Sequence, residues 1–230
     1  MVIAIDGPAG VGKSTIARKI AEETGFYYLN SGNFNRAIGL AVIETETDPK
    51  NKKKCQELAK SLTISINNNK FFLNGKNVEN LLGGETVGKM ASDISVDPEI
   101  RDIVNAHLLK ISENLSIVCE GRDMTTVVFP NAEFKFYFDA TAEVRAERRF
   151  KQNPENSDFS QILQKIQERD KIDKNKPVGS LKIANDATYI DTSYLTISAV
   201  CAKVLTAIKA KNDIKGSGET KWLKKEKKKK

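Results

Sequence analysis

The sequence predicts an α/β domain built on a parallel central sheet wrapped by helices, and three observations carry that prediction. Short apolar, β-branched runs alternate with amphipathic helical stretches along most of the 230 residues. Several of these runs end in a polar or glycine-rich segment: Val2–Ile5 before Asp6-Gly7, Ser116–Cys119 before Glu120-Gly121, and Phe134–Phe138 before Asp139. The links between strands and helices are short, as parallel crossovers require.

Taken in order, Val2-Ile3-Ala4-Ile5 reads as a buried strand. Thr15–Ala21 reads as a helix, with Ile16, Ile20 and Ala17, Ala21 at helical spacing and Gly25 as its terminator. Phe26–Leu29 is a second strand, after which Asn30-Ser31-Gly32 turns the chain and Ser31 is expected to cap a helix through Ile38 and Val42. Lys52–Leu62 is an amphipathic helix. Thr63–Ile66, followed by Asn67-Asn68-Asn69, and Phe71–Leu73, followed by Asn74-Gly75 and Val78, predict a small antiparallel sheet over 63–80. Asp97-Pro98-Glu99 supplies the cap and first turn of a long helix. Strands at Ser116–Cys119, Phe134–Phe138 and Ala187–Ile190 follow, with helices at Ala142–Gln152, Phe159–Lys174 and Ile197–Ala210. Residues 153–157 form a loop, and no internal repeat is present.

Composition narrows the function classes. Forty per cent apolar residues suffice for a core, and no apolar run approaches the roughly 20 residues of a membrane span. No signal peptide is visible, so a cytoplasmic protein is expected. Cys55, Cys119 and Cys201 have no metal-type spacing and read as reduced thiols, and the single His107 argues against histidine chemistry. The net charge of +7 resides in residues 209–230, with ten Lys against Asp213, Glu219 and Glu226. The other 208 residues balance 27 basic against 27 acidic groups, so the body is not a nucleic-acid surface by bulk charge. The Lys-rich tail is expected to be disordered, and weak contact with nucleic acid is expected of it at most.

The chemistry begins at Gly7-Pro8-Ala9-Gly10-Val11-Gly12-Lys13-Ser14, which fits G-x-x-x-x-G-K-[ST] at every fixed position and lies between a strand and a helix. Its glycines let backbone N–H groups point inward, forming an anion cradle at a helix N-terminus. Lys13 is expected to reach the outer phosphates of a nucleoside triphosphate, and Ser14 to ligate Mg²⁺, with Glu120 or Asp6 as candidate second ligand. Arginines supply the rest: Arg36, Arg101 and Arg122, then Arg145, Arg148 and Arg149 on one helix, then Arg169. Their rigid donor forks suit phosphate oxygens, and clusters of them are expected to converge on one cleft. Phosphoryl transfer to an acceptor that is itself an ionised phosphate needs alignment and charge neutralisation rather than a nucleophilic side chain. Gly121-Arg122-Asp123, at the carboxyl end of a buried strand, stands where open parallel sheets bind ligands.

Several segments together resemble the bacterial cytidylate kinases. They are Ile5–Thr15, Ser31-Gly32 with Arg36, Gly121-Arg122-Asp123-Met124 with Thr126–Pro130, Glu168-Arg169-Asp170 with Asp173 and Asn175, and Asp191-Thr192-Ser193. They run in family order from residue 3 to about 210. The resemblance implies a P-loop NTPase-type three-layer α/β/α fold with a small antiparallel insert in the monophosphate-binding subdomain and a helical lid. It implies a kinase domain over 1–210, an acceptor-binding insert over about 31–110 containing the 63–80 sheet, a lid over about 142–176, and a basic tail over 211–230. The implied reaction moves the γ-phosphoryl group of ATP to CMP or dCMP, with Mg²⁺, in a monomer that touches no membrane. The implied donor site is Gly7, Pro8, Ala9, Gly10, Val11, Gly12, Lys13, Ser14 and Thr15 with Arg145 and Arg149 of the lid. The implied acceptor site is Ser31, Arg36, Ser92, Arg101, Arg122, Asp123, Arg169 and Asp173. In it Asp123 accepts from the cytosine amino group, Asp173 holds the sugar hydroxyls, and the catalytic charges are Lys13, Arg122 and Arg169.

The chain departs from the family pattern at Asn30, Asn35 and Glu120, where Asp, Tyr and Asp are usual, and at Ile172 and Lys176, where arginine is usual near the lid's end. The alternatives are a kinase for another monophosphate such as UMP, or a non-kinase P-loop or nucleic-acid-binding protein. A guanine-reading switch is excluded, because Asn175-Lys176 is followed by Pro177-Val178 rather than x-Asp.

Overall fold

The computed structural model describes residues 1–152, 154–156 and 158–214, the side chains of Asn156 and 211–214 excepted. The chain forms two compact units, one comprising Met1–Leu29 and the chain from Ser116 onward, the other Asn30–Leu115. No helix among the described residues is long and apolar enough to cross a membrane.

The first unit is a three-layer α/β/α arrangement on a five-stranded sheet. Its strands are β1 (Val2–Asp6), β2 (Tyr27–Asn30), β6 (Ile117–Gly121), β7 (Phe134–Asp139) and β8 (Thr188–Asp191), in the order β2-β6-β1-β7-β8. The β1–β6, β1–β7 and β7–β8 pairs are parallel, and Asp6 is in register with both Gly121 and Tyr137. β1 is buried along its whole length, as a central strand covered on both faces must be. Helix α1 (Lys13–Thr24) ends at Gly25 in the left-handed conformation with φ 71°. Helices α6 (Ala142–Phe150), α7 (Phe159–Asn175) and α8 (Ile197–Ile214) complete the unit. Ile3, Ile5, Ile16, Ile20, Phe136, Phe138, Val204 and Ile208 form the core, and Cys119 and Cys201 are buried free thiols.

The second unit holds α2 (Ser31–Glu44), α3 (Lys52–Ser61), α4 (Glu85–Ile94) and α5 (Pro98–Asn114), with the antiparallel strands β3 (Ile64–Asn67), β4 (Lys70–Leu73) and β5 (Lys76–Asn77). Both tight turns of this sheet use left-handed residues, Asn68 and Asn69 at φ 50° and 58°, and Asn74 and Gly75 at 49° and 79°. Phe34 of α2 meets Phe71 of β4 edge to face at 5.1 Å. Helices α2 and α4 pack closely because a Cβ on Gly39 would stand 2.9 Å from the Ala91 amide nitrogen.

Three details correct the sequence expectations. Asn30, not Ser31, caps α2: its side chain accepts from the Gly32 N–H, while Ser31 is the first helical residue. The last helix continues to Ile214 rather than ending at Ala210, so 211–214 are not a disordered tail, and 215–230 lie outside the described residues. Within the expected 153–157 loop, Pro154–Asn156 form a 3₁₀ turn, and Asn153 and Ser157 lie outside the described residues.

Candidate active site

The carboxyl ends of β1, β6, β7 and β8 all deliver site segments, as parallel register dictates. After β1 the chain enters the glycine loop, with Gly7, Gly10 and Gly12 at φ 151°, 79° and 93°. A Cβ on Gly7 would stand 2.1 Å from the Phe138 carbonyl oxygen, so the loop can pass β7 only without a side chain there. Gly12 caps α1 with no side chain accepting from its first turn, which leaves those N–H groups available to an anion. Lys13 is buried, and its Nζ donates to the Gly7 and Pro8 carbonyls at 2.8 Å each. Burial, then the neighbouring Arg122 charge, pulls the Lys13 ammonium down to about 7. Bound phosphates would reverse that shift by supplying the missing counter-charge. Ser14 and Thr15 are exposed at the loop's end.

Beside the loop, Glu120 Oε1 accepts from Ser14 Oγ at 2.8 Å and from the Tyr28 hydroxyl at 3.2 Å. Burial and then the Glu120 charge push the Tyr28 phenol up to about 12, and the Arg18 guanidinium lies 4.5 Å over its ring. Among the described residues no group of three or more His, Cys, Asp or Glu forms a metal cage. One hydroxyl and one carboxylate at a phosphate cradle are the sparse oxygen set that fits Mg²⁺ held mainly by nucleotide phosphates and water. Asp6 does not belong to that set. It is fully buried, and its carboxylate accepts from the Met124 N–H at 2.9 Å, the Thr125 N–H at 2.7 Å and the Thr125 hydroxyl at 2.6 Å. Burial raises its carboxyl above the usual range, against the lowering by these bonds.

Those bonds pin a single π-helical turn, Met124–Val128, closed by Val128 N–H to Asp123 O at 3.1 Å and Phe129 N–H to Met124 O at 2.8 Å. Arg122 and the buried Asp123 stand at its entrance. Arg122 Nε donates to Asp173 Oδ2 at 2.6 Å, and Arg169 Nε lies 4.0 Å from the same oxygen. Thus Lys13, Arg122, Arg169 and Asp173, read separately in the sequence, form one electrostatic cluster. Thr126 Oγ1, in the turn itself, is buried with no hydrogen-bond partner.

The arginines of α6 divide by role. Arg145 is buried and spends its fork internally: Nε donates to Ala140 O, Nη1 to Ala9 O, and Nη1 and Nη2 to the two Asp170 oxygens at 3.0 and 2.6 Å. It therefore braces the glycine loop against α6 and α7. Arg149 is exposed, and its carbonyl accepts from the Gln152 N–H at 3.3 Å while its guanidinium faces solvent. Arg148 donates to the Thr192 carbonyl at 2.5 Å, fixing Asp191-Thr192-Ser193, and the Thr192 hydroxyl donates in turn to Asp139 O at 3.0 Å.

In the second unit, Arg36 rises from α2, where its Nη1 donates to the Leu82 carbonyl at 2.7 Å. Its guanidinium covers Gly88, where a Cβ would stand 3.1 Å from Nη1 and Nη2. Ser31 opens α2, Ser92 is exposed on α4, and Arg101 lies half-buried in the first turn of α5. The sequence reading gives Tyr28 no part in the site, does not foresee the α4 helix that carries Ser92, and quotes Asp170 only as part of a matching segment, not as the partner of Arg145. Asp6, next to the glycine loop, reads as a candidate metal ligand, whereas its carboxylate holds the Met124–Thr125 backbone.

The comparisons agree with this geometry. The family model for cytidylate kinase matches residues 3–210. A cytidylate kinase of Clostridium botulinum (strain Loch Maree / Type A3) is 39% identical over 210 residues, covering 90% of this chain and 97% of its own. One from Thermodesulfovibrio yellowstonii is 38% identical over 215 residues, with the same two coverages of 90% and 97%. Among solved structures, an uncharacterized protein from Eubacterium ventriosum shares the fold at TM-score 0.50 and 13% identity, covering 91% of this chain and 98% of its own. With the glycine loop, the Gly-Arg-Asp corner and the α6–α7 pair all in place inside the matched span, the chain belongs to the cytidylate kinase family.

Proposed function

We propose that this chain is an ATP-dependent (d)CMP kinase, which transfers the γ-phosphoryl group of ATP to CMP or dCMP and releases ADP and CDP or dCDP. The observation that carries the reading is the cluster of Lys13, Arg122, Arg169 and Asp173 beside a phosphate cradle, in a chain of this family. Two anionic substrates must approach end to end, and the side chains to neutralise them are cations rather than nucleophiles.

In this reading the N–H groups of Gly7–Thr15 and Lys13 hold the β- and γ-phosphates of ATP, with Arg149 adding a donor from the lid. Arg145 serves the same site by fixing the Ala9 carbonyl. Arg122, Arg169 and Arg36 grip the acceptor phosphate. Asp173 turns from Arg122 to the sugar hydroxyls as that phosphate takes its place. Asp123 accepts from the exocyclic amine of cytosine, and Ser31, Ser92 and Arg101 satisfy the remaining polar edge. Mg²⁺ would be held by Ser14 and Glu120 and would supply further charge neutralisation on the transferring group. No general base is required, because the acceptor oxygen is already ionised. The enzyme acts as a cytoplasmic monomer, and the Lys-rich tail has no part in turnover.

The test supplies ATP and Mg²⁺ with CMP, dCMP, UMP, AMP, GMP and TMP in parallel and follows ADP release. CMP and dCMP should lead by roughly tenfold or more, since one mismatched buried polar contact contributes about that factor. Equal turnover of AMP and CMP would overturn the base assignment.

A further inference from the structure

We infer that Asp6 is a positioning residue for the acceptor nucleotide, acting through the π-turn and not through a metal. The inference rests on the assignment of Arg122 and Asp123 to that nucleotide. Asp6 is the last residue of β1, in register with Gly121 of β6 and one peptide before the glycine loop. Its carboxylate has no exposure, and both oxygens accept hydrogen bonds, Oδ1 from Met124 and Oδ2 from Thr125. A carboxylate so placed is aimed at the turn and shows no solvent-facing oxygen to an ion.

What it holds is an uncommon element. A π-turn is less well bonded than an α-turn and persists where its surroundings determine it. Here the determinant is a buried anion receiving two successive backbone N–H groups at the turn's start, bonds stronger than neutral ones. A second constraint lies beneath: a Cβ on Gly121 would stand 2.8 Å from Met124 Cγ, so the Met124 side chain is folded over the end of β6. Between these fixed points run only Arg122 and Asp123. Asp123 sits at φ −144° and ψ 20°, neither helical nor extended, and its carbonyl accepts from both Val127 N–H at 2.9 Å and Val128 N–H at 3.1 Å. Anchoring Met124 and Thr125 to Asp6 therefore sets the direction in which the Arg122 fork and the Asp123 carboxylate leave the backbone. Because Asp6 also leads into Gly7, the same residue ties this corner to the phosphate cradle.

The test compares Asp6→Asn and Thr125→Val with the parent, using CMP and UMP as acceptors across Mg²⁺ and ATP titrations. Asp6→Asn keeps the shape but presents an amide N–H₂ to one of the two N–H groups. Its KM for CMP should rise roughly tenfold or more and its preference for CMP over UMP should fall, with KM for ATP changing less than threefold. Thr125→Val, which deletes the hydroxyl and leaves both backbone bonds, should show the same signature at about threefold. A purely structural role would lower the melting temperature and the active fraction while leaving KM for CMP and base preference unchanged, and that result overturns the inference. So does a shifted Mg²⁺ midpoint with an unmoved KM for CMP, which would return Asp6 to the metal. Arg122→Met separates the underlying reading: if it leaves KM for CMP unchanged, the acceptor assignment itself fails. If it raises KM while both other variants do not, only the role of Asp6 fails.

Discussion

Replacing Arg145 by Met should unfasten helices α6 and α7 from the glycine loop at a large and specific cost. The Arg145 side chain is 4% exposed and that of Asp170 17%, and the pair is bidentate with contacts of 3.0 and 2.6 Å. The same guanidinium satisfies the carbonyls of Ala140 and Ala9 at 2.9 and 3.0 Å. Removing it strands a mostly buried carboxylate and two carbonyls together. Breaking one side of such a pair costs about 3–5 kcal/mol, a fall of roughly 10 °C in melting temperature for a chain of this size. Replacing both partners, Arg145→Met with Asp170→Leu, removes the stranded charge and should recover most of that loss, a coupling of at least about 2 kcal/mol. Urea unfolding of the four proteins measures this directly, and repeating it in high salt should leave the coupling nearly intact, since so little of the pair meets solvent. KM for ATP should rise in both Arg145 variants, because the Ala9 carbonyl loses its brace. If the single change costs less than about 1 kcal/mol, or the two changes simply add, Arg145 is not the brace described.

Further outcomes follow from the same contacts. Lys13→Met should abolish most turnover while stabilising the nucleotide-free chain by about 1–3 kcal/mol at pH 6, because it removes a buried ammonium. The folded chain releases the Lys13 proton near 7 rather than the usual 10.5. Between those values it binds fewer protons than the unfolded chain, so this group makes stability climb as pH rises through that window. The advantage of the Met variant, followed by thermal melts, should shrink accordingly. Gly7→Ala should fail to bind ATP and lose several kcal/mol, because its Cβ would stand 2.1 Å from the Phe138 carbonyl oxygen, a backbone atom that cannot swing aside. Thr126→Val should leave melting unchanged or raise it by about 1 kcal/mol, since it deletes a buried hydroxyl that has no partner. A clear drop in melting temperature would mean the hydroxyl is satisfied after all.

Local chemistry was legible wherever one segment carries its own geometry. The glycine loop declares itself because its φ values demand glycine and its flanks are a strand and a helix. Asn74-Gly75 likewise announces a turn with two left-handed residues. Features set by distant partners were not legible. The π-turn has no sequence period of its own and depends on Asp6, 118 residues before Met124. Helix α4 is hidden by Gly84 and Gly88, weak helix formers, and a Cβ at Gly88 would stand 3.1 Å from the Arg36 guanidinium that lies over it. Asn30 and Ser31 are both good caps, and only the backbone decides between them. Arg145 looks like any phosphate-seeking arginine until Asp170, 25 residues later, is seen to occupy its fork.

The Tyr27 N–H donates to the Ser116 carbonyl at 2.9 Å, so the chain leaves the parallel sheet after Leu29 and rejoins it at a neighbouring point. Everything from Asn30 to Leu115 is thus spliced in at a single doorway, and a short bridge across it would spare the β1–β6, β1–β7 and β7–β8 registers of the first unit. Such a layout lets the inserted unit be lengthened, trimmed or exchanged in the course of descent while the sheet and its glycine loop are inherited intact.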